Sequence, residues 1–270
     1  MSEYVLVEHP RPAVALVTLN RPERMNSMAF DVMIPLRDVL AALHHDNEVR
    51  VVVLTGAGRG FSSGADHKSA GAVPHVAGLT RPTYALRSME ILDEVILAMR
   101  RLHQPIIAAV NGAAIGGGLC LALAADIRVA ASDAYFRAAG INNGLTASEL
   151  GLSYLLPRAI GSSRAFEIML TGRDVDAHEA ERIGLVSRQV PGADLLETCY
   201  QMAERIAAFS RPGTELTKRT LWTGMDAGTL EGHMQAEGLG QLYVRLLTAN
   251  FEEAVAARAA KRAPSFTDDK

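Results

Sequence analysis

Two glycine-rich stretches decide how this chain folds: Phe61-Ser62-Ser63-Gly64-Ala65-Asp66 and Asn111-Gly112-Ala113-Ala114-Ile115-Gly116-Gly117-Gly118. Each follows a run of mostly β-branched residues, at 51–55 and 106–110, so each predicts a buried strand that ends in a glycine turn and meets a helix. A helix start carries free backbone N–H groups and the positive end of the dipole. If the two turns converge, their N–H groups would form an oxyanion hole. Either turn alone is equally typical of an ordinary strand-to-helix connection, in which glycine relaxes the backbone.

Taken together and in this order, the stretches resemble the enoyl-CoA hydratase/isomerase family (the crotonase superfamily). The resemblance runs from about Val5 to Phe266, nearly the whole chain. The motifs that carry it, besides the first turn, are Leu19-Asn20-Arg21-Pro22 with Asn26, Leu54-Thr55-Gly56, the segment 105–118, Leu123-Ala124-Ala125-Asp126, Leu170-Thr171-Gly172-Arg173 with Ala180, Gly184-Leu185-Val186, and Lys261-Arg262-Ala263-Pro264-Ser265-Phe266. Each motif is weak by itself, whereas the ordered set is specific.

The resemblance implies an α/β fold with a crotonase-type spiral core of ββα turns over residues 1–195. A C-terminal helical region, 196–270, would then build a homo-trimer or a dimer of trimers. The chemistry implied is that of an enzyme which binds an acyl-CoA thioester and stabilises a thioester enolate. By similarity, the oxyanion-hole donors are the N–H groups of Ala65 and Gly117.

The chain departs from the family pattern at the two glutamates of true hydratases. The first position, two residues after the triple glycine, is Cys120, and the second aligns with Gly140. Water addition by the usual route requires one carboxylate to activate water and a second carboxyl group to deliver a proton. We therefore expect slow hydration, and we interpret Cys120 as a small residue packed in a helix.

One acid remains in this segment, Glu149, which aligns with a catalytic aspartate of dienoyl-CoA isomerases in the same family. Burial beside an apolar acyl chain would raise its pKa toward the range useful for a general base. The alternative interpretation is a solvated carboxylate in the first turn of a helix, where the dipole favours it. The sequence leaves the reaction open between double-bond isomerisation, an unusual hydration, thioester hydrolysis and decarboxylation. A second hypothesis is a catalytically inactive protein that binds CoA or acts through assembly.

The resemblance also implies a binding site for the CoA part of the substrate. Its predicted contacts are Arg24, Ser63, Ala65, Asp66, His67, Lys68, Gly117 and Lys261. Lys68 and Lys261 would supply the positive charge that a nucleotide phosphate needs. An exposed lysine at a helix end is the plainer interpretation of Lys261.

Composition narrows the classes of function. The 270 residues are 49% apolar and 21% charged, with a net charge of −3 and no long run of one sign. Clustered Lys and Arg, the mark of a nucleic-acid partner, are absent from the sequence. Two cysteines, Cys120 and Cys199, do not make a disulfide framework. We expect a cytoplasmic protein without a membrane span, a metal site or a permanently bound cofactor, with coenzyme A entering as part of the substrate.

Hydrophobic periodicity predicts an α/β pattern followed by helices. Strands are expected at 4–7, 13–19, 49–55, 106–110, 127–131, 135–137 and 186–190. Helices are expected from Ser27 as N-cap to about 43, with Pro35 kinking or restarting it, and at 86–102, 117–125, 164–170, 177–183, 194–209, 214–221, 230–247 and 251–261.

Overall fold

The structure, a computed structural model, describes residues 3–267. Its strands are β1 (Val5–Arg11), β2 (Val14–Leu19), β3 (Val51–Gly56), β4 (Gly60–Ser62), β5 (Ile106–Val110), β6 (Ala113–Ile115), β7 (Ile127–Ala131), β8 (Tyr135–Arg137), β9 (Asp174–Asp176) and β10 (Arg188–Val190). Its helices are α1 (Phe30–His44), α2 (Arg81–Arg101), α3 (Gly117–Ala124), α4 (Leu152–Ile160), α5 (Ser162–Thr171), α6 (Ala177–Arg182), α7 (Leu195–Ala207), α8 (Arg211–Gly224), α9 (Leu230–Leu247) and α10 (Asn250–Ala259).

Two sheets share the strands of a repeated ββα unit. The larger sheet has the order β1-β2-β3-β5-β7-β10, and the smaller has the order β4-β6-β8-β9. Each successive unit, β3–β4, β5–β6 and β7–β8, gives its first strand to the larger sheet and its second to the smaller. Pairing between the units is parallel in both sheets. This stepwise advance is the spiral that the sequence predicts.

The α3 helix lies at the centre of the fold. All eight of its residues are buried, and it packs against β4, β6, α2 and α4. A helix that is apolar all round is stable only when it is enclosed on every side. Its N-terminus follows the second glycine-rich turn, so the core itself holds that turn in place.

The structure differs from the predicted local structure at the start of α1 and at four elements that were not predicted. Ser27 does not cap α1, which begins at Phe30 after Ala29; its hydroxyl donates to Asp66 instead. Helix α1 continues through Pro35 without restarting, and a kink at this proline stays a prediction. The α4 helix was not predicted, because Pro157 lies inside it, and neither were β4, β6 and β9, whose three residues each are too few to show a period.

The C-terminal part is helical, as predicted. Helix α7 packs against strands of the larger sheet, so the core continues past residue 195, and the 195/196 boundary stays a prediction. Helix α9 buries none of its residues. Its large apolar side chains are exposed, at Leu230, Met234, Leu239, Leu242, Tyr243, Leu246 and Leu247. Within residues 3–267, no helix is long and apolar enough to cross a membrane.

Candidate active site

The fold brings the two glycine-rich turns into contact. Strands β4 and β6 are parallel neighbours, so the turns that follow them leave the same edge of the smaller sheet. A Cβ placed on Gly64 would lie 2.5 Å from the Ile115 carbonyl oxygen and 3.2 Å from the Gly117 nitrogen. Gly64 and Gly116 also have positive φ, +78° and +53°, which side chains rarely adopt. Glycine at these positions therefore permits both the turn and the close approach.

The backbone around Ala65 is held so that its own N–H is left free. Met28 and Ala65 form a parallel bridge, in which the Met28 N–H donates to Gly64 O (2.7 Å) and the Asp66 N–H donates to Met28 O (3.0 Å). In such a bridge the central residue's N–H faces away from the partner strand. Gly117 is the first residue of α3, so its N–H has no intrahelical acceptor. Within residues 3–267, neither amide has a hydrogen-bond acceptor, which fits the predicted donor pair.

Glu149 lies beside the second turn. A Cβ placed on Gly116 would lie 3.2 Å from Glu149 Oε1, and the glutamate is half-buried. Burial raises the pKa of its carboxyl, and the positive charge of His67 partly opposes that rise. The residue is not in the first turn of a helix, because α4 begins three residues later, at Leu152. The alternative interpretation of a dipole-stabilised, solvated carboxylate therefore does not fit its environment.

Neither of the two hydratase acid positions holds an acid. Cys120 is inaccessible to solvent, and there is no space for a side chain at Gly140. Cys120 is fully buried, with its thiol 3.3 Å from Gly116 O and 3.5 Å from Glu149 O. Burial, and then the charge of Glu149, raise the pKa of this thiol well above its ordinary value, so it is packed as a neutral group, as predicted. A Cβ on Gly140 would overlap the Thr146 carbonyl oxygen. A side chain of any kind at Gly140 would require the following segment to move.

Asp66 anchors the first turn from behind. Its carboxylate accepts the N–H groups of Lys68 and Ser69 (2.9 Å each) and pairs with Arg24 (2.8 Å) and Arg21 (3.1 Å). Burial by itself would raise the pKa of Asp66. The two backbone donors, Arg24 and Ser27 outweigh that effect and hold the pKa well below its usual range. Asp66 is therefore a charged structural anchor, and its predicted contact with CoA stays a prediction.

The other predicted CoA contacts are distributed over the surface around the turns. Ser63 is half-buried and its hydroxyl donates to Arg24 O (3.3 Å). His67 and Lys68 are exposed just beyond the first turn. Lys261 is exposed after the end of α10, and its predicted contact with CoA stays a prediction. The structure thus groups Arg24, Ser63, His67 and Lys68 around the first turn.

Sequence reasoning missed one residue at this site, Met28. A Cβ on Gly117 would overlap its sulfur and lie 3.3 Å from Leu150 Cδ1. A buried methionine after a polar segment carries no signal that distinguishes it from ordinary core. No group of three His, Cys, Asp or Glu side chains within residues 3–267 is arranged to hold a metal ion.

Comparison with known proteins agrees with this geometry. The family model described as enoyl-CoA hydratase/isomerase matches residues 10–269. A Mycobacterium bovis protein named probable enoyl-CoA hydratase echA12 is 83% identical over 265 residues, 98% of this chain and 93% of that one. The crystal structure of a probable enoyl-CoA hydratase/isomerase from Mycobacterium abscessus is 72% identical, with a TM-score of 0.95 over 99% of this chain and 100% of that one.

A second solved structure carries a narrower description. It is called a monofunctional enoyl CoA isomerase from M. smegmatis, and it is 71% identical, with a TM-score of 0.74 over 86% of this chain and 99% of that one. With a family model matching nearly the whole chain and relatives this similar, the chain belongs to the enoyl-CoA hydratase/isomerase family of acyl-CoA enzymes.

Proposed function

We propose that this enzyme moves a carbon–carbon double bond in an acyl-CoA thioester, between the 3-enoyl and 2-enoyl positions, with Glu149 as the acid/base. The observation that carries the proposal is a single available carboxylate at the turns. Glu149 is half-buried with a pKa raised by burial, whereas Asp66 is neutralised by two arginines. The hydratase acid positions hold a buried thiol and a closed glycine.

One carboxylate is sufficient for this reaction. The thioester oxygen accepts hydrogen bonds from the Ala65 and Gly117 N–H groups, which stabilise negative charge as it develops there. The Glu149 carboxylate removes a proton from Cα of the 3-enoyl chain and the electron pair delocalises into a dienolate. The resulting Glu149 carboxylic acid returns the proton at Cγ, which regenerates the carbonyl and leaves the double bond between Cα and Cβ. The proton count balances within the site, and no water molecule is consumed.

The comparisons support this choice and also name its competitor. The M. smegmatis neighbour is described as an isomerase, and an isomerase needs no second acid. Hydration is the second candidate, because the M. bovis relative is named a hydratase. The absence of both hydratase acids argues against hydration, because a positioned acid or base contributes about 10²–10⁴-fold to the reaction rate.

The binding part of the proposal uses the cations around the first turn. His67 and Lys68, exposed just beyond the first turn, and Arg24, which pairs with Asp66, would hold the CoA phosphates. Lys261 would contribute from another subunit of a trimer or a dimer of trimers. The exposed apolar side chains of α9 support such an assembly, because monomers rarely expose large apolar patches.

The test compares two reactions and two variants. Wild-type enzyme is given a 3-enoyl-CoA in heavy water, with double-bond migration and deuterium at Cα and Cγ measured, and separately crotonyl-CoA, with hydration measured. Glu149→Gln keeps the shape of the side chain but removes the base. We expect isomerisation to fall by about 10²-fold or more in this variant, with the binding of a CoA ester little changed. Glu48→Gln, an exposed site, serves as the matched control and should keep the wild-type rate.

Each other outcome selects a different function. Rapid crotonyl-CoA hydration that survives Glu149→Gln would show that another acid has been recruited and would favour the hydratase. Wild-type enzyme that binds CoA esters but neither exchanges nor isomerises them would support the inactive CoA-binding protein. Unchanged isomerisation in Glu149→Gln would show that Glu149 is not the base.

A further inference from the structure

Residues 24–28 form a brace along the back of the first turn. The Ser63 N–H donates to Met25 O (2.9 Å), and the Ser62 hydroxyl donates to Asn26 O (2.8 Å). The bridge of Met28 with Ala65 continues the same row. The brace is itself fixed, because the Asn26 side chain donates to Ala57 O (2.9 Å) and Gly60 O (2.8 Å). The first turn is thus held to a segment about 40 residues earlier in the chain.

Met28 is the member of the brace that also contacts the second turn. Its backbone bonds to Gly64 and Asp66, one on each side of Ala65. Its sulfur and methyl group occupy the space that a Cβ of Gly117 would take, and the side chain is 7% exposed. Met28 therefore contacts the backbone beside both proposed donors. It hydrogen-bonds to the two neighbours of Ala65, and its side chain packs on Gly117.

We propose that Met28 is a positioning residue that sets the separation of the Ala65 and Gly117 amides. This inference rests on the proposed oxyanion hole. The packing of its sulfur on Gly117 keeps the N-terminus of α3 at a fixed distance from the bridge that orients Ala65. Leu150 also contacts the Gly117 position, but it has no bond to the first turn and cannot fix one donor relative to the other. An acyl oxygen would then meet two donors whose spacing is fixed before it arrives.

Two variants shorten the side chain and one preserves its volume. Met28→Ala and Met28→Val remove the atoms that contact Gly117 and leave the backbone bonds to the first turn. Because a displacement of about 1 Å at a reacting centre costs about 10²-fold, we expect kcat to fall by about 10- to 100-fold while KM changes less than threefold. Met28→Leu keeps the volume and should stay within about threefold of wild type.

The matched control is Met99→Ala, which removes a fully buried methionine from α2. It should lower the unfolding midpoint about as much as Met28→Ala does, without the loss of kcat. A second readout does not require turnover. Cinnamoyl-CoA has an acyl group conjugated to an aromatic ring, and its absorbance moves to longer wavelength when its carbonyl is polarised. We expect that shift in the wild type and in Met99→Ala, and a smaller one at saturation in Met28→Ala and Met28→Val.

The outcomes separate this inference from the proposed function. If Met28→Ala and Met28→Val match Met99→Ala in both kcat and spectral shift, Met28 is ordinary core and the inference is wrong, while the assignment of Glu149 stands. If the wild type gives no spectral shift, the oxyanion hole at Ala65 and Gly117 is wrong and the inference fails with it. Loss of kcat and of the shift in the truncated variants, with recovery in Met28→Leu, supports the positioning role.

Discussion

Glu149 combines two properties that a shuttling base needs. It is buried enough for its pKa to be raised, and it is next to a turn whose amides would stabilise the enolate. Because neither Cys120 nor Gly140 supplies an acid, the proposed mechanism assigns both proton transfers to Glu149. His67, two residues after Ala65, is the neighbour whose positive charge lowers the pKa of Glu149, in opposition to burial.

Replacing His67 should shift the pH dependence of the reaction. Protonated His67 stabilises the Glu149 carboxylate and so lowers its pKa, in opposition to burial. In His67→Gln that charge is gone, the pKa of Glu149 is higher, and the base is protonated at a higher pH. We expect the acid limb of the kcat/KM profile to move to higher pH with the plateau rate retained.

The control for this shift is His178→Gln, on α6, which should leave the profile unchanged. An acid limb that moves to lower pH, or does not move, in His67→Gln would contradict the electrostatic coupling. A uniform rise in KM at all pH values would instead indicate that His67 contacts CoA.

The residues of the site could be predicted from sequence to different degrees. Glycines at 64 and 117 follow recognisable strands, so the turns and their donors could be located. The fit of Met28 against Gly117, and the pairing of Arg21 with Asp66, join residues about 45 to 90 positions apart. No local pattern encodes such contacts, and they come from the spiral topology. The sequence shows that position 140 is a glycine and therefore lacks an acid. It does not show that the Thr146 carbonyl oxygen fills the space that a side chain would need there.

Helix α8 is attached to the core by a buried polar network at the C-terminal end of α3. The Lys218 ammonium pairs with Asp126 (2.9 Å) and donates to Gln104 O (2.9 Å). The Trp222 N–H donates to Asp126 Oδ1 (2.6 Å), and the Ile106 N–H donates to Oδ2 (2.6 Å). Burial lowers the pKa of Lys218, and Asp126 opposes that effect. This network joins the spiral to the first of the three C-terminal helices.

Removing one partner of the Lys218–Asp126 ion pair should lower the free energy of unfolding. Asp126→Asn leaves the Lys218 cation buried without its counter-charge, which typically costs about 3–5 kcal/mol. The double variant Asp126→Asn with Lys218→Met removes both charges and should recover much of the loss. The measurement is urea unfolding of the single and double variants at one protein concentration.

The control is Arg87→Met, which breaks an exposed ion pair with Glu90 and should have a much smaller effect. A double variant no more stable than Asp126→Asn would show that hydrogen bonding to Trp222 and Ile106, rather than the uncompensated charge, sets the cost.

At the level of elements, most long periodic segments were predictable, whereas three of the four short strands of the smaller sheet were not. Strands β5, β7 and β8 and helix α9 have the predicted bounds, because each is a clear apolar or amphipathic run between breaks. The strands of the smaller sheet that were not predicted, β4, β6 and β9, have three residues each and are defined by their partners. That sheet carries both turns, so the sequence predicted the active-site loops but not the element that aligns them.

The whole molecule places its two glycine-rich turns in successive units of the spiral. Because β4 and β6 are parallel neighbours, the step from one unit to the next sets the distance between the turns. In a single chain, none of the residues of α9 is buried. The apolar side chains of this helix would be covered only by another subunit. Leu239, Leu242 and Leu246 are 71%, 55% and 66% exposed and are spaced to share one face of that helix.

We therefore predict that the enzyme is a trimer or a dimer of trimers assembled through this face of α9. Light scattering at micromolar concentration should give three or six times the 28.9 kDa mass of the chain. Leu242→Asp would bury a charge in the interface and should release smaller species, whereas Leu6→Asp, at an exposed position on β1, should not.

If Lys261 reaches the CoA of a neighbouring subunit, Lys261→Gln should raise KM with kcat retained, and Leu242→Asp should raise KM in parallel. A wild-type monomer would contradict the assembly, and an unchanged KM in Lys261→Gln would remove that lysine from the CoA site.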